Sequence, residues 1–278
     1  MEEHRLDGLT AVEKAVAVAI ADCVGAWAQG WDVPGSGRQG APDILLHYPD
    51  GLIAALEATS DAGPGVRQRD SILRDMPQDS DYPWKSPGRY TWFVSVREPT
   101  AIPELRLRYK GIVEGLEQLG LKDDRSLIPW DKTLSDDLHW VASHSVSFVC
   151  PPSQFPGDKY VIVTPEGWDG TIDKRLTGLA DAMTAVLSRP VLADHVAKLR
   201  RWEPGSPGLE RHLFVGLHQG ALPYAQAGGL ISLAEGLVAP DCEPPTLPEG
   251  ITHLWFCSTM SPYLVEVSRG RWTFHRAP

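Results

Sequence analysis

The stretch that most constrains this chain is residues 42–59, PDILLHYPDGLIAALEAT. Asp43 to Tyr48 and Leu52 to Thr59 are apolar, β-prone runs, and the Pro49-Asp50-Gly51 between them is turn chemistry. Pro49 suits position i+1 of a type I turn and Gly51 suits the left-handed residue of a G1 bulge, so the loop spans residues 49–51. The register follows from that loop. Tyr48 faces Leu52, and counting outward pairs His47 with Ile53, Leu45 with Ala55 and Asp43 with Glu57. The Cβ atoms of Asp43 and Glu57 then lie about 5 Å apart on one face, with Thr59 two residues on. Ile44, Leu46, Tyr48, Leu52, Ala54, Leu56 and Ala58 form the opposite, core face. A two-residue loop would shift the register by one and separate the two carboxylates.

Two facing carboxylates repel by roughly 3 kcal/mol at an effective dielectric of about 20, so the pair is a poor structural choice unless a cation sits with it. Oxygen ligands on neighbouring strands suit magnesium or manganese, which bind through one or two carboxylates and keep water or phosphate in the remaining positions.

Pro42-Asp43, a hairpin and then Glu57-Ala58-Thr59 resemble the PD-(D/E)xK signature of restriction-endonuclease-like nucleases. The resemblance covers roughly the first 120 residues. It implies an α/β fold with a mixed central sheet flanked by helices, Asp43 and Glu57 as ligands of a magnesium or manganese ion, and cleavage of a phosphodiester, DNA first. Members of that family place a helix before the hairpin, often with a glutamate ligand. Residues 10–29 supply the helix, and Glu13 in its first turn is the corresponding metal-ligand candidate. The departure is Thr59, where the family usually has the lysine that activates or orients the attacking water. Threonine there is similar to the very-short-patch mismatch-repair endonucleases. Thr59 would orient water through its hydroxyl or its carbonyl.

Composition bounds the rest. The 278 residues can bury a large core as one big domain or two smaller ones. A formal charge of -10 opposes generalised nucleic-acid binding, which depends on Lys and Arg releasing counterions from phosphate. Any nucleic-acid contact must be a local patch, and Arg67, Arg69, Lys85 and Arg89 are the candidates. Cys23, Cys150, Cys242 and Cys257 lack metal-site spacing and read as reduced thiols of a cytoplasmic protein. No apolar run approaches the roughly 20 residues that span a bilayer, so no membrane association is expected.

In chain order, Thr10-x-x-Glu13 fits a capping box, an alternative role for Glu13. It opens a helix with Val12, Val16, Ala19, Ile20, Cys23 and Trp27 as its apolar stripe. Residues 30–42 are a Gly/Pro-rich connection, and 65–75 suggest a short helix. Residues 76–89 form a Pro-rich loop carrying Trp84, Lys85 and Arg89. Tyr90 to Val96 reads as a strand covered on both faces, and Pro103 opens a helix through Leu119, ended by Gly120, with Ile102, Leu105, Tyr109, Ile112, Leu116 and Leu119 facing inward. This order gives a nuclease-like core over residues 1–125. A second α/β region follows over 126–278, as an extension of that core or of its sheet. Its expected strands are His139 to Cys150, Lys159 to Thr164, His212 to Leu217 and His253 to Cys257. Helical runs cover 171–188 and 190–202, and a hairpin turns at residues 268–270. The basic end of the second run, Lys198 with Arg200 and Arg201, suits the helix dipole as well as a ligand. Most histidines read as structural, with His47 the exception because it shares the face of Asp43 and Glu57.

Two functions compete. One is a magnesium-dependent phosphodiester hydrolase, a DNA endonuclease, using Asp43, Glu57 and Thr59. The other is a catalytically inactive protein of the same fold that acts as a binding or interaction module.

Overall fold

The computed structural model describes residues 4–63, 65–76, 82–151, 157–166, 171–202, 210–232, 240–258 and 263–276. Parts of the expected loops at 76–89 and 151–158 lie outside them. The first elements are α1 (Ala11–Val24), β1 (Trp27–Gly30), β2 (Ile44–His47), β3 (Ile53–Asp61), α2 (Val66–Arg74), β4 (Trp84–Lys85), β5 (Trp92–Val96) and α3 (Ile102–Gln118). They are followed by α4 (Asp136–Ser143), β6 (Val146–Val149), β7 (Tyr160–Pro165), α5 (Leu179–Leu187) and α6 (Pro190–Arg201). The chain ends with β8 (Arg211–Leu217), α7 (Tyr224–Ser232), β9 (His253–Ser258), β10 (Tyr263–Ser268) and β11 (Arg271–Arg276).

This mixed α/β chain divides into two compact units, Met1–Ala62 with Gly170–Pro278, and Gly63–Asp169. The expected boundary at residue 125 is therefore not where the chain divides. β3 pairs in parallel with β8 rather than with the next strand in sequence, which recruits the carboxyl-terminal region and leaves the intervening residues to close on their own sheet. β5 and α3, expected beside the hairpin, belong to that second unit.

The first unit is a seven-stranded sheet in the order β1-β2-β3-β8-β9-β10-β11. β2 and β3 pair Ile44 with Leu56, Leu45 with Ala55, Leu46 with Ala54 and His47 with Ile53, the register set by the turn. Gly51 sits at φ 87°, where a Cβ would be strained, and Tyr48 N–H donates to Leu52 O at 2.9 Å to close the loop. Ile44, Leu46, Ala54 and Leu56 are buried with Val16, Ala17, Ile20 and Ala21 of α1, and with Phe214, Trp255 and Leu264. Removing a Leu56-sized side chain from water contributes about 2 kcal/mol. α1 ends earlier than expected, because Gly25 takes φ 71° and caps it. Trp27 thus lies in edge strand β1, and Val12 is 70% exposed rather than part of the stripe.

The second unit holds a four-stranded sheet in the order β4-β7-β5-β6, with β5 flanked on both sides. α3 buries Ile102, Leu105, Tyr109, Ile112, Val113 and Leu116 against Trp92, Val94 and Phe148, whereas Leu119 is exposed. The strand expected from His139 begins only at Val146. Ser135 caps a helix there, its hydroxyl accepting from Leu138 N–H at 3.4 Å, and Asp136 and Asp137 favour the positive helix end. No described helix is long and apolar enough to cross a membrane.

Candidate functional site

Asp43 and Glu57 meet in the first unit as the register requires, at the point where the β2–β3 backbone ladder gives way to side-chain bonds. Asp43 N–H donates to Glu57 Oε2 at 3.3 Å, and Ala58 N–H donates to Asp43 Oδ2 at 3.2 Å. The backbone carbonyl of Asp43 accepts from Trp31 N–H at 2.8 Å. Glu57 is fully buried and the Asp43 side chain is 16% exposed.

The sheet face carrying Glu57 is covered by α6, which packs on β3 and β8. Pro190 opens this helix, and Arg189 at its N-cap pairs with Asp61, further along β3 on the same face as Glu57. His195 and Lys198 are three residues apart and so share a helix face. Lys198 Nζ donates to Glu57 Oε1 at 2.7 Å and lies 3.5 Å from Asp43 Oδ1. His195 Nδ1 is 2.8 Å from the same Glu57 oxygen. A carboxylate oxygen accepts, so this bond is donated by Nδ1. Thr59, half-buried, is on this face two residues beyond Glu57.

The charges do not cancel. One ammonium faces two carboxylates, and burial, then the charge of Glu57, push the Asp43 carboxyl up to about 6, against the Ala58 N–H bond and Lys198. Burial acts to lower the Lys198 ammonium, yet its bond to Glu57 and the charges of Glu57 and Asp43 leave it above the ordinary lysine value.

Other expected residues are placed differently. Glu13 Oε2 accepts from Thr10 N–H at 2.7 Å while Thr10 Oγ1 accepts from Glu13 N–H at 3.3 Å. The capping box therefore occupies the Glu13 carboxylate, which still lies near enough to raise Asp43 slightly. His47 stacks on Trp27 with ring centroids 4.0 Å apart and bonds Gln29 at 3.0 Å, so the neighbouring edge strand takes it away from the carboxylates. Arg67, Arg69, Lys85 and Arg89 belong to the second unit. Arg69 is buried against Asp70 at 2.6 Å and Lys85 lies 3.9 Å from Asp158. Arg67, Lys85 and Arg89 are exposed.

The opposite face of the same sheet carries a second polar cluster. His212 and His253 are paired residues on β8 and β9, and His212 pairs across to Leu56 rather than to Glu57. One ligand atom each from Glu210, His212 and His253 lie within 4.8 Å of one another, a group that could hold a metal ion. The sequence did not single it out, because each histidine is alone in its own strand. Lys198 and His195 were missed for a related reason, since nothing local ties a residue of α6 to one of β3.

No family model, curated protein or solved structure matches the chain.

Proposed function

We propose that the chain is a metal-dependent phosphodiester hydrolase acting on nucleic acid, with DNA as its first substrate class. What carries the reading is Lys198, whose ammonium reaches both Glu57 and Asp43 from α6. Thr59 leaves the hairpin without the lysine of the PD-(D/E)xK pattern, and a lysine arrives at the same carboxylates from elsewhere in the fold.

The donor set fits a hard divalent ion. It offers carboxylate oxygens only, and net negative charge remains after Lys198 is counted. Asp43 and Glu57 would hold magnesium or manganese, which when bound polarises phosphate and acidifies a bound water. Lys198 supplies fixed positive charge for the phosphate oxygens, a preorganised interaction that strengthens as charge develops. His195 is oriented by Glu57 and can accept a proton at Nε2, the division of labour of a carboxylate-held catalytic imidazole. Thr59 orients water through its hydroxyl or carbonyl. Arg67, Lys85 and Arg89 are proposed as a nucleic-acid patch of the second unit by itself, with Arg69 directed to Asp70 instead.

One observation favours the rival reading of an inactive binding module: Glu57 is fully buried, and both of its oxygens already accept hydrogen bonds. Incubating the folded chain with manganese and single-stranded DNA, double-stranded DNA or RNA separates the two. The hydrolase reading requires cleavage that Glu57→Gln abolishes. Absence of cleavage on all three substrates would replace it with the binding-module reading.

A further inference from the structure

We propose that Glu210, His212 and His253 form a second metal site, for a transition metal of the zinc class, on the sheet face opposite Asp43 and Glu57. The donors decide the class. Two imidazole nitrogens with one carboxylate suit zinc and its neighbours, whereas magnesium and calcium prefer oxygen throughout.

The partners of these residues prepare them as ligands. Thr252 Oγ1 accepts from Arg211 N–H at 2.8 Å and donates its own proton to Arg211 O at 3.1 Å. The bond between Thr252 Oγ1 and His253 Nδ1, at 2.9 Å, is then donated by the ring. That fixes the tautomer with a lone pair on His253 Nε2, whose nearest carboxylate oxygen, on Glu266, is 3.8 Å away and beyond hydrogen-bond reach. Tyr48 O–H donates to Glu210 Oε2 at 2.7 Å, which orients that carboxylate. Such outer partners aim the ligands of metal sites in general. Glu210, 23% exposed, gives an ion a route to two otherwise buried rings.

His212 has a polar neighbour at each ring nitrogen. An indole N–H can only donate, so the 3.0 Å bond from Trp255 Nε1 to His212 Nδ1 places the ring proton on Nε2, 3.5 Å from Glu210. An ion held at Nε2 would move the ring proton to Nδ1, which gives up the hydrogen bond from Trp255. The rings of His212 and His253 stack within 3° at 4.2 Å. One ligand atom from each ring and one from Glu210 already lie within 4.8 Å of one another.

The site is independent of the proposed hydrolase centre, and its test can fail without touching that reading. Chain stripped with chelator is loaded with zinc, desalted and analysed for metal, and cobalt is titrated in parallel for its visible absorption. Wild type should retain about one zinc per chain and develop tetrahedral cobalt bands. Glu210→Gln and His253→Ala should each weaken binding at least about tenfold, while Glu57→Gln keeps it. Glu210→Gln preserves shape and the Tyr48 bond, so it remains a test should His253→Ala not fold. No retained zinc in wild type, or equal retention in Glu210→Gln, would overturn the site.

Discussion

Lys198 and Glu57 are 141 residues apart in the chain and 2.7 Å apart in the fold. Sheet topology makes the meeting possible, because β3 takes β8 as its parallel neighbour and α6, which precedes β8, crosses the face that Glu57 presents. Burying Glu57 opposite Asp43 without that ammonium would leave like charges together in a poorly solvated place.

Replacing the ammonium should therefore cost stability before any question of catalysis. Lys198→Met is expected to lower unfolding free energy by about 2 kcal/mol, less than the roughly 3–5 kcal/mol of a fully buried pair because Lys198 is partly exposed. Urea denaturation at neutral pH measures it. Millimolar magnesium or manganese should return part of the loss, since the variant needs a cation more than wild type does. A variant as stable as wild type would mean that the three groups do not depend on one another.

Asp43 gives a pH dependence of defined sign. Its folded-state pKa of about 6 stands above its ordinary value of 3.8, so in between the folded chain holds a proton that the unfolded chain releases. The stability this contributes is complete below about pH 4 and disappears as pH rises through about 6. Asp43→Asn removes the titration. Without metal, it should gain about 1–2 kcal/mol relative to wild type between pH 4.5 and pH 7.5, allowing for solvent screening. Parallel stability curves for the two proteins would show that Asp43 titrates normally.

Glu13 separates a capping role from a metal-ligand role. Glu13→Gln keeps an acceptor for Thr10 N–H and should leave manganese-dependent activity within about threefold of wild type, whereas Glu13→Ala should cost about 1 kcal/mol of stability. Loss of activity in a fully stable Glu13→Gln chain would instead make Glu13 a ligand.

The parts of the fold legible in the sequence were those fixed by local chemistry. Pro49 and Gly51 set the hairpin register, and the stripe from Ile102 to Leu116 set the buried face of α3. Local signals also misled where two overlapped. The apolar pattern ran from α1 through Gly25 into Trp27, hiding a helix end and an edge strand. The β-prone run after His139 hid a helix started by Ser135. Long-range pairing had no local signature, so neither the parallel β3–β8 contact nor the discontinuous first unit could be read. Lys198 read as part of a basic helix end that suits the dipole as well as a ligand, His195 carried no signal of its own, and His212 and His253 looked like two isolated strand histidines. The carboxylate half of the candidate site followed from one turn, and its cationic half required the whole sheet.

The central claim is that Lys198 supplies from α6 the cation that Thr59 does not supply from β3, and exchanging the two positions tests it most directly. Manganese-dependent cleavage of DNA would be measured for wild type, Lys198→Met, and the double variant Lys198→Met with Thr59→Lys, each checked for folding by circular dichroism. Wild type should cleave, Lys198→Met should lose on the order of 100-fold, and the double variant should regain at least tenfold of that loss, because an ammonium again faces the carboxylates and the scissile phosphate. Cleavage by Lys198→Met at the wild-type rate, or a folded wild type inactive under every condition, would contradict the account.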